Sequence, residues 1–591
     1  MNNAKSENWI LFADLELLYP PNKKESFVYS LVRTRVAGEQ LLRTRFVDPP
    51  LMSVEDLADF RTYVDRSYIK ILRLVALRLN QYHQASMPIE HWEILIGPWL
   101  HQFITSVYDR YLRIKSLEKK FDSFQCKVLN ETSYQIPVDT LEFSKGLGSD
   151  LYNLQLYSKL LGVRGHKFES VRIEKPSSYR RTEIRPFLVG IYNYFISRVI
   201  DYVSKLGFRP LVVYNTGFSK KDEMRLGIVA RFKVLPLISI EGYYHGTAKV
   251  DPNRISLGNF DFGSEEFEMT VAQIMRDEIP MAFVEHFTKY QNDSYRYFPR
   301  NVEAVCSAMS WHFDEVFKQA CVRFRSNGSR LLGIQHGGNY GMQLGLAGEA
   351  HEHKILNTLY VWGTAENHQK STCRIKSMPA PKLIPRSKEY SHKLKLSKNR
   401  ILWCGTSVRR YLSSGLSIPE WHERYLDCQK DFLQNLSSNA RQHLVFRPHV
   451  EDEGWDAVAR LRRVFPNLVV EKWNKVFTDS LVSSTLYVGD HLSTTFLESI
   501  FHNIPTVIFW DPKTCCVTRG ARMHFDKFQQ VGIFHTTPGS AARHINENFT
   551  RIADWWADEQ VQEAVTEFSR DYARRHNDII NLWAQELTAL N

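Results

Sequence analysis

An α/β fold built on two doubly wound parallel sheets is what this sequence predicts, and three observations carry the prediction. Short apolar runs ending in turn residues alternate with helical stretches in two blocks, one before residue 370 and one from Ile401 onward. Alternation of this kind produces a parallel sheet covered by helices. The chain is 591 residues long, which exceeds what one hydrophobic core organises. Between the blocks the composition changes: Arg374, Lys376, Lys382, Arg386, Lys388 and Lys393 crowd together with Pro379, Pro381 and Pro385, and only Glu389 opposes them. That is the composition of an interdomain linker. It can run through solvent or lie along anionic lipid headgroups. The organisation expected is an N-terminal α/β domain over 1–370, a linker over 371–399, a second α/β domain over 400–540, and C-terminal helices over 541–591 that pack back on the domains.

In chain order, residues 8–18 read as a first strand and turn. The pattern from Val54 to about Lys119 is helical, with Leu72, Val75, Ala76 and Leu79 at the spacing of one helix face. Gly97-Pro98 divides the apolar part of this region into two helical segments. Asp109 and Arg110 read as a structural ion pair. Leu211-Val212-Val213-Tyr214 is a buried strand, Phe267 to Phe287 is helical in pattern, and a helix is predicted over 304–324. Arg330 to Gln335 is a short strand that runs into His336-Gly337-Gly338-Asn339-Tyr340-Gly341. Glycines in such a turn let a ligand approach the backbone closely. A histidine at a strand end can serve as acid or base near neutral pH; the alternative is a glycine-rich connection with an incidental histidine.

The second block opens with Ile401-Leu402-Trp403-Cys404 and the turn Gly405-Thr406-Ser407. His443 to Phe446 is a strand ending in Arg447-Pro448-His449, and Leu468-Val469-Val470 reads as another. The strand up to Val488 then leads into Gly489-Asp490-His491-Leu492-Ser493-Thr494-Thr495 and a short helix. A helix N-terminus presents free N–H groups and the positive end of its dipole to an anion. Thr495-x-x-Glu498 is also a capping box, which satisfies those same N–H groups internally. In a parallel sheet the strand ends converge on one edge. Thr406, Ser407, Arg447, His449, Ser493, Thr494, Thr495 and Glu498 are therefore expected as neighbours there, supplying charge and donors for a phosphate.

Composition sets outer limits. The chain is 43% hydrophobic and 13% aromatic, as a folded protein is, and carries a formal charge of +11 with a pI near 9.0. A basic surface suits nucleotides, nucleic acid or an anionic membrane face. No signal peptide and no long apolar segment is recognised, so a cytoplasmic location follows. The eight cysteines show no CxxC pair or zinc spacing and read as buried thiols. No P-loop occurs and no GxGxxG follows a strand. Without an Asp-x-Asp at a strand end, no required metal or other cofactor is expected.

At several stretches the sequence resembles the leptospiral-type transferases, bacterial proteins associated with surface carbohydrate biosynthesis. They are His91-Trp92-Glu93-Ile94-Leu95-Ile96-Gly97-Pro98-Trp99-Leu100 with Tyr108-Asp109-Arg110-Tyr111, the Gln335-to-Gly341 turn, Arg447-Pro448-His449 before Gly454-Trp455, Ser493 to Glu498 with Asn503-Ile504-Pro505-Thr506, and Val531 to His535. Phe12-Ala13-Asp14-Leu15 departs from the family pattern. The resemblance implies a GT-B-like glycosyltransferase, in which the C-terminal domain binds the donor and the N-terminal domain offers the acceptor and the base. Arg447-Pro448-His449 and the hydroxyl turn are similar to those of capsule transferases that use CMP-activated ulosonic acids. This favours a CMP-linked donor over UDP or GDP, though Pro448-His449-Val450 departs from the usual order.

The function expected is transfer of a sugar from a nucleotide-sugar donor to a cell-surface or lipid-linked glycan, at a site peripheral to the cytoplasmic membrane. Thr406, Ser407, Arg447, His449, Ser493, Thr494 and Thr495 would hold the donor. Glu498 would cap the helix, His336 would be the base, and Gly337 and Gly338 would permit close approach. Alternatives are a CDP-polyol phosphotransferase of surface-polymer synthesis and a basic protein that binds nucleic acid or glycan without catalysis. Nucleic acid is not expected as a partner, because the aromatics follow core periodicity instead of interleaving with basic residues on one surface.

Overall fold

The computed structural model describes residues 8–19, 26–28, 44–174, 184–240, 250–367, 371–383, 399–415 and 417–589. Three parallel sheets organise them. The first is small. β1 (Asn8–Leu11), β2 (Ser26–Val28), β3 (Thr44–Phe46) and β4 (Phe124–Gln125) pair in the order β3-β2-β1-β4. Sequence reasoning expects only β1 here. Strands of two to four residues are too short to show an alternation of their own.

Two long helices cross between β3 and β4. α1 (Val54–His83) begins at a capping box in which the Ser53 hydroxyl accepts from the Asp56 N–H and the Asp56 carboxylate accepts from the Ser53 N–H. α2 (Ile89–Lys120) is continuous through Gly97-Pro98, where the sequence predicts a break. Proline removes one bond from a helix interior, yet Trp92, Trp99 and Phe103 are wholly buried around it. At Gly97 a Cβ would lie only 2.8 Å from His351 and 3.0 Å from Tyr68. Tertiary burial outweighs the local signal. Asp109 and Arg110 do form an ion pair at 3.0 Å, extended by Arg113 and Glu420. β5 (Lys127–Leu129) and β6 (Glu169–Val171) form a two-stranded parallel ribbon beside this region.

The second sheet contains β7 (Leu211–Tyr214), β8 (Val234–Leu237), β9 (Ala304–Ser307), β10 (Arg330–Ile334), β11 (Thr358–Val361) and β12 (Arg374–Ser377), in the order β12-β11-β10-β9-β7-β8. All four residues of β7, β9 and β11 are buried, as in a sheet covered on both faces. β9 replaces the first turn of the helix expected over 304–324, which is confined to Ser310–Phe313 and Glu315–Ser326. A fully buried four-residue strand has the same apolar run as a buried helical turn. The helix expected over 267–287 ends at Met275; a 3-10 turn, Met281–Phe283, follows, and the next helix, Phe287–Tyr297, begins where the expected one stops. β12 falls within the basic stretch read as a linker, so that residues 374–377 are an edge strand; residues 384–398 of that stretch lie outside the described residues.

The third sheet contains β13 (Ile401–Cys404), β14 (Leu444–Arg447), β15 (Leu486–Gly489), β16 (Thr506–Phe509) and β17 (Phe534–His535), in the order β14-β13-β15-β16-β17. Leu468 to Val470 adds only an isolated bridge from Val470 to Phe446. The C-terminal helix Ile579–Thr588 returns to the second sheet. Its Trp583 indole donates to Pro379 O at 2.9 Å and packs on Phe218 and Tyr360. The two larger sheets are thus Rossmann-like units tied together by the end of the chain. Among the described residues, no helix is long and apolar enough to cross a membrane.

Candidate functional site

In each larger sheet the strand order reverses beside its first strand, between β7 and β9 and between β13 and β15. Ligands of such sheets bind outside the carboxyl ends of the strands, at that reversal. Here the carboxyl edges of the two sheets meet. The segment after β10 is stitched onto the third-sheet unit: Gly338 N–H donates to Thr494 Oγ1 at 2.9 Å, Leu344 N–H to Cys516 O at 3.0 Å, and Thr518 N–H to Met342 O at 2.8 Å.

His336 stands at the end of β10, its side chain 29% exposed. Tyr340, one turn further on, donates its hydroxyl to Glu352 Oε2 at 2.9 Å. The same Tyr340 oxygen lies 2.8 Å from His336 Nδ1. A hydroxyl has one proton, so Nδ1 carries the hydrogen of the second bond and Nε2 keeps its lone pair. Glu352 Oε1 lies 2.9 Å from His312 Nε2. Burial pushes the Glu352 carboxyl up to about 8, against the pull of His336. Burial also lowers His312 to about 4 and holds His336 below its ordinary value. Glu352 thus contacts both His312 and Tyr340, and through the Tyr340 hydroxyl it reaches His336. His312, His336 and Glu352 each offer a ligand atom, all within 4.8 Å of one another, and are the described residues that could hold a divalent ion.

The two predicted glycines differ. A Cβ on Gly337 would meet only Thr494 Oγ1, at 3.6 Å. One on Gly338 would lie 2.7 Å from Leu497 and 2.8 Å from the Thr494 backbone. Gly338 thus admits the helix of the other unit, where the sequence expects it to admit a ligand.

Opposite His336 lies the N-terminus of the helix Thr494–Phe501. Ser493 is its N-cap residue and makes no side-chain cap bond. The Ser493 and Thr495 hydroxyls bond each other at 2.7 Å, and Tyr487 bonds Thr495 at 2.8 Å. Glu498 does not cap the helix; it pairs with Lys382 at 3.1 Å. The first-turn N–H groups are consequently not closed by the box that the sequence predicts, and Lys382 adds a cation beside them.

At the reversal of the third sheet, Asp490 gathers four partners. Trp403 and Gln429 donate to Oδ2 at 3.0 and 2.8 Å, and Tyr425 and His491 reach Oδ1 at 2.8 and 2.9 Å. Thr406 joins through its backbone N–H, which donates to Tyr425 at 2.8 Å. Ser407 donates to Asp452 O at 3.0 Å.

Arg447 and His449 do not join this group. The Arg447 guanidinium is buried, pairs with Glu471 at 2.5 Å and donates to Lys475 O at 3.1 Å. Its charge meets a carboxylate where the sequence expects a donor phosphate. His449 is exposed, and its Nδ1 accepts from the Glu451 N–H at 3.2 Å. Sequence reasoning missed Glu352, His312, Lys382, Asp490 and His491 as site residues. Asp490, His491 and Tyr340 lie inside stretches already singled out, whereas nothing local marks Glu352, sixteen residues after His336. A cavity of about 150 Å³ adjoins the site, bordered by Arg61, His101, Gly341, Glu349, His353 and Thr518, where α1, α2 and both units meet.

Fold and site together define a two-unit α/β protein in which the carboxyl edges of two parallel sheets face each other, with His336 on one side and the N-terminus of the helix Thr494–Phe501 on the other. The model of the LIC12162 family transferase matches residues 32–587. The chain belongs to that family and is a transferase, as its motifs led one to expect. No curated protein matches it. Among solved structures, it is similar to the α,α-trehalose 6-phosphate synthase of Burkholderia multivorans, with 9% identity, 65% of this chain and 96% of that chain covered, and a TM-score of 0.33. It is also similar to the spinosyn forosaminyltransferase SpnP (11%, 64% and 99%, 0.31). A third is the UDP-GlcNAc 2-epimerase of Neisseria meningitidis bound to UDP-GlcNAc (9%, 64% and 99%, 0.35). The strand orders, not these distant likenesses, define the fold.

Proposed function

We propose that the chain is a glycosyltransferase that moves a sugar from a nucleotide-sugar donor to a surface-glycan acceptor. The observation that carries this reading is the juxtaposition of His336 with the uncapped N-terminus of the helix Thr494–Phe501, joined by the Gly338–Thr494 bond. His336 Nε2 takes the proton of an acceptor hydroxyl. The acceptor oxygen bonds the anomeric carbon as the bond to the donor phosphate breaks. The electron pair leaves on the phosphate oxygen, where the Ser493-Thr494-Thr495 N–H groups and Lys382 stabilise it. Thr406, Asp490 and His491 line the nucleotide side, and the cavity bordered by Arg61 and His101 is the acceptor side. A CMP-linked donor is favoured by the hydroxyl turn and by its likeness to the ulosonic acid transferases.

Thermal unfolding with CMP, CDP, UDP and GDP tests donor binding. A ligand at 100 times its Kd adds about 2.7 kcal/mol, and no shift with any nucleotide would overturn the reading. Product mass then separates sugar transfer from transfer of a polyol phosphate, because only the latter adds phosphorus to the acceptor.

A further inference from the structure

The helix Ile184–Lys205, which packs beside the second sheet, carries apolar side chains on both faces. Inward, Ile200 is fully buried and Val189 and Ile196 pack on the core, and polar side chains join them. Asn193 donates to Ile238 O at 2.7 Å and accepts from Ile238 N–H at 3.0 Å. Ser197 donates to Tyr297 O at 3.0 Å and Ser204 to Asn301 O at 3.2 Å. A second set of apolar side chains faces out. Leu188, Ile191, Phe195, Val199, Tyr202 and, just beyond the helix, Leu206 are each 41–71% exposed. They recur at steps of three and four residues, so they form one stripe about 27 Å long at 1.5 Å per residue. Scattered apolar residues on a surface need no explanation, but a contiguous stripe of this size marks an interaction site.

The surroundings specify the partner. Arg198, which stacks on Tyr194 at 5.5 Å, borders the stripe, as does the exposed Lys205. At the far end, exposed Arg209 adjoins the turn carrying exposed Arg231, Phe232 and Lys233, whose Lys233 O accepts from Leu211 N–H at 2.8 Å. The acid on the helix, Asp201, is tied to Arg198 at 3.0 Å and to the Arg300 N–H at 2.5 Å. An apolar stripe edged by tyrosines and cations is what an interfacial helix presents to lipid: the apolar face enters the acyl boundary and the cations meet anionic headgroups. A protein partner would be matched by polar groups of both signs around the rim; here Asp293 lies only at the N-terminal end, beside Lys289, while the exposed Lys205, Arg209, Arg231 and Lys233 make the far end cationic.

We infer that the Ile184–Lys205 helix, with the adjoining 206–209 and 231–233 segments, docks the protein on an anionic lipid surface. The inference concerns location and does not depend on the reaction proposed above.

The test is cosedimentation of the full chain with vesicles of phosphatidylcholine alone and of phosphatidylcholine mixed equally with phosphatidylglycerol, without donor or acceptor. The expected result is binding to the mixed vesicles, weakened at least about ten-fold by F195S/L206S and similarly by K205E/R209E, with added salt reducing it further. Unchanged thermal unfolding of both variants shows that the fold is retained. The inference is overturned by absence of vesicle binding, by equal binding to both vesicle types, by variants that bind like the parent, or by light scattering that shows a dimer dissociated by F195S/L206S. Because no substrate is present, a failure here leaves the transferase reading intact, and a failure of that reading leaves this surface intact.

Discussion

The backbone N–H of Gly338 donates to the Thr494 hydroxyl at 2.9 Å, so the turn bearing His336 rests directly on the first turn of the helix across the cleft. This bond sets how far His336 stands from the first-turn N–H groups of that helix. Replacing Gly338 by alanine would drive a Cβ into Leu497 and the Thr494 backbone. Overpacking of this kind costs about 1–3 kcal/mol. G338A is expected to lower stability in urea unfolding by that amount and to reduce turnover, while G337A, with open space around its Cβ, leaves stability unchanged. Equal stability of G338A and the parent would contradict the contact.

Tyr340 holds His336 in one tautomer by way of Glu352. General base catalysis contributes about 10²–10⁴-fold. H336A is expected to lose turnover on that scale while keeping nucleotide affinity in calorimetry. Y340F leaves the ring in place but removes the oxygen that receives the Nδ1 proton; kcat falls and KM stays near the parent value. A Y340F enzyme with normal kcat would show that the tyrosine only packs.

The pH profile follows from burial. His336 lies below its ordinary value of 6.5, so its neutral form persists below pH 6.5. The acid limb of kcat/KM is expected to have its midpoint under 6.5, and to vanish in H336A. A midpoint above 6.5 would mean that a carboxylate partner, not burial, dominates.

Glu352 gives a stability prediction of opposite sense. Its carboxyl is raised from 4.5 to about 8 in the folded state. Between those values the native protein binds a proton that the unfolded chain has released, so this group's contribution to stability declines as pH rises from 4.5 to 8. E352Q keeps the shape of the neutral acid without titrating. Its unfolding free energy relative to the parent is expected to rise steadily across that window and level off above 8, by an amount on the order of a few kcal/mol at most. A constant difference from pH 5 to pH 9 would place Glu352 in its charged form throughout.

Arg447, which the sequence assigns to the donor, is held by Glu471, whereas Lys382, read in the sequence only as part of a basic linker, pairs with Glu498 of the helix Thr494–Phe501. R447A removes one partner of Glu471, which keeps Arg400 as a second, so the cost is expected below the about 3–5 kcal/mol of an isolated buried pair, and nucleotide affinity per folded molecule is retained. K382A barely alters stability, since Lys382 is about half exposed in its pair with Glu498, and weakens donor binding. The reverse pattern in unfolding and calorimetry would restore Arg447 as a donor ligand.

What the sequence alone determined was the class of the protein and the location of its turns. The alternation of buried strands and helices is a local, periodic signal, and it marked the strand ends at His336, Thr406 and Ser493, together with the family motifs. Strands as short as β2, β3 and β17 carry no such period. The Gly97-Pro98 signal pointed to a break because burial of Trp92 and Trp99 is invisible locally. Only the tertiary structure decided which partner each side chain meets. Glu498 lies at capping distance in sequence but meets Lys382 from another segment. Arg447 has a phosphate-binding residue type at a strand end, but Glu471, brought beside it by the fold, neutralises it. Glu352 reaches His336 through Tyr340 only after the Ala347–Ile355 helix folds back. The physical reason is the same in each case: backbone pattern depends on neighbours within a few residues, whereas the electrostatics of a buried charge depend on whichever group packing delivers to it.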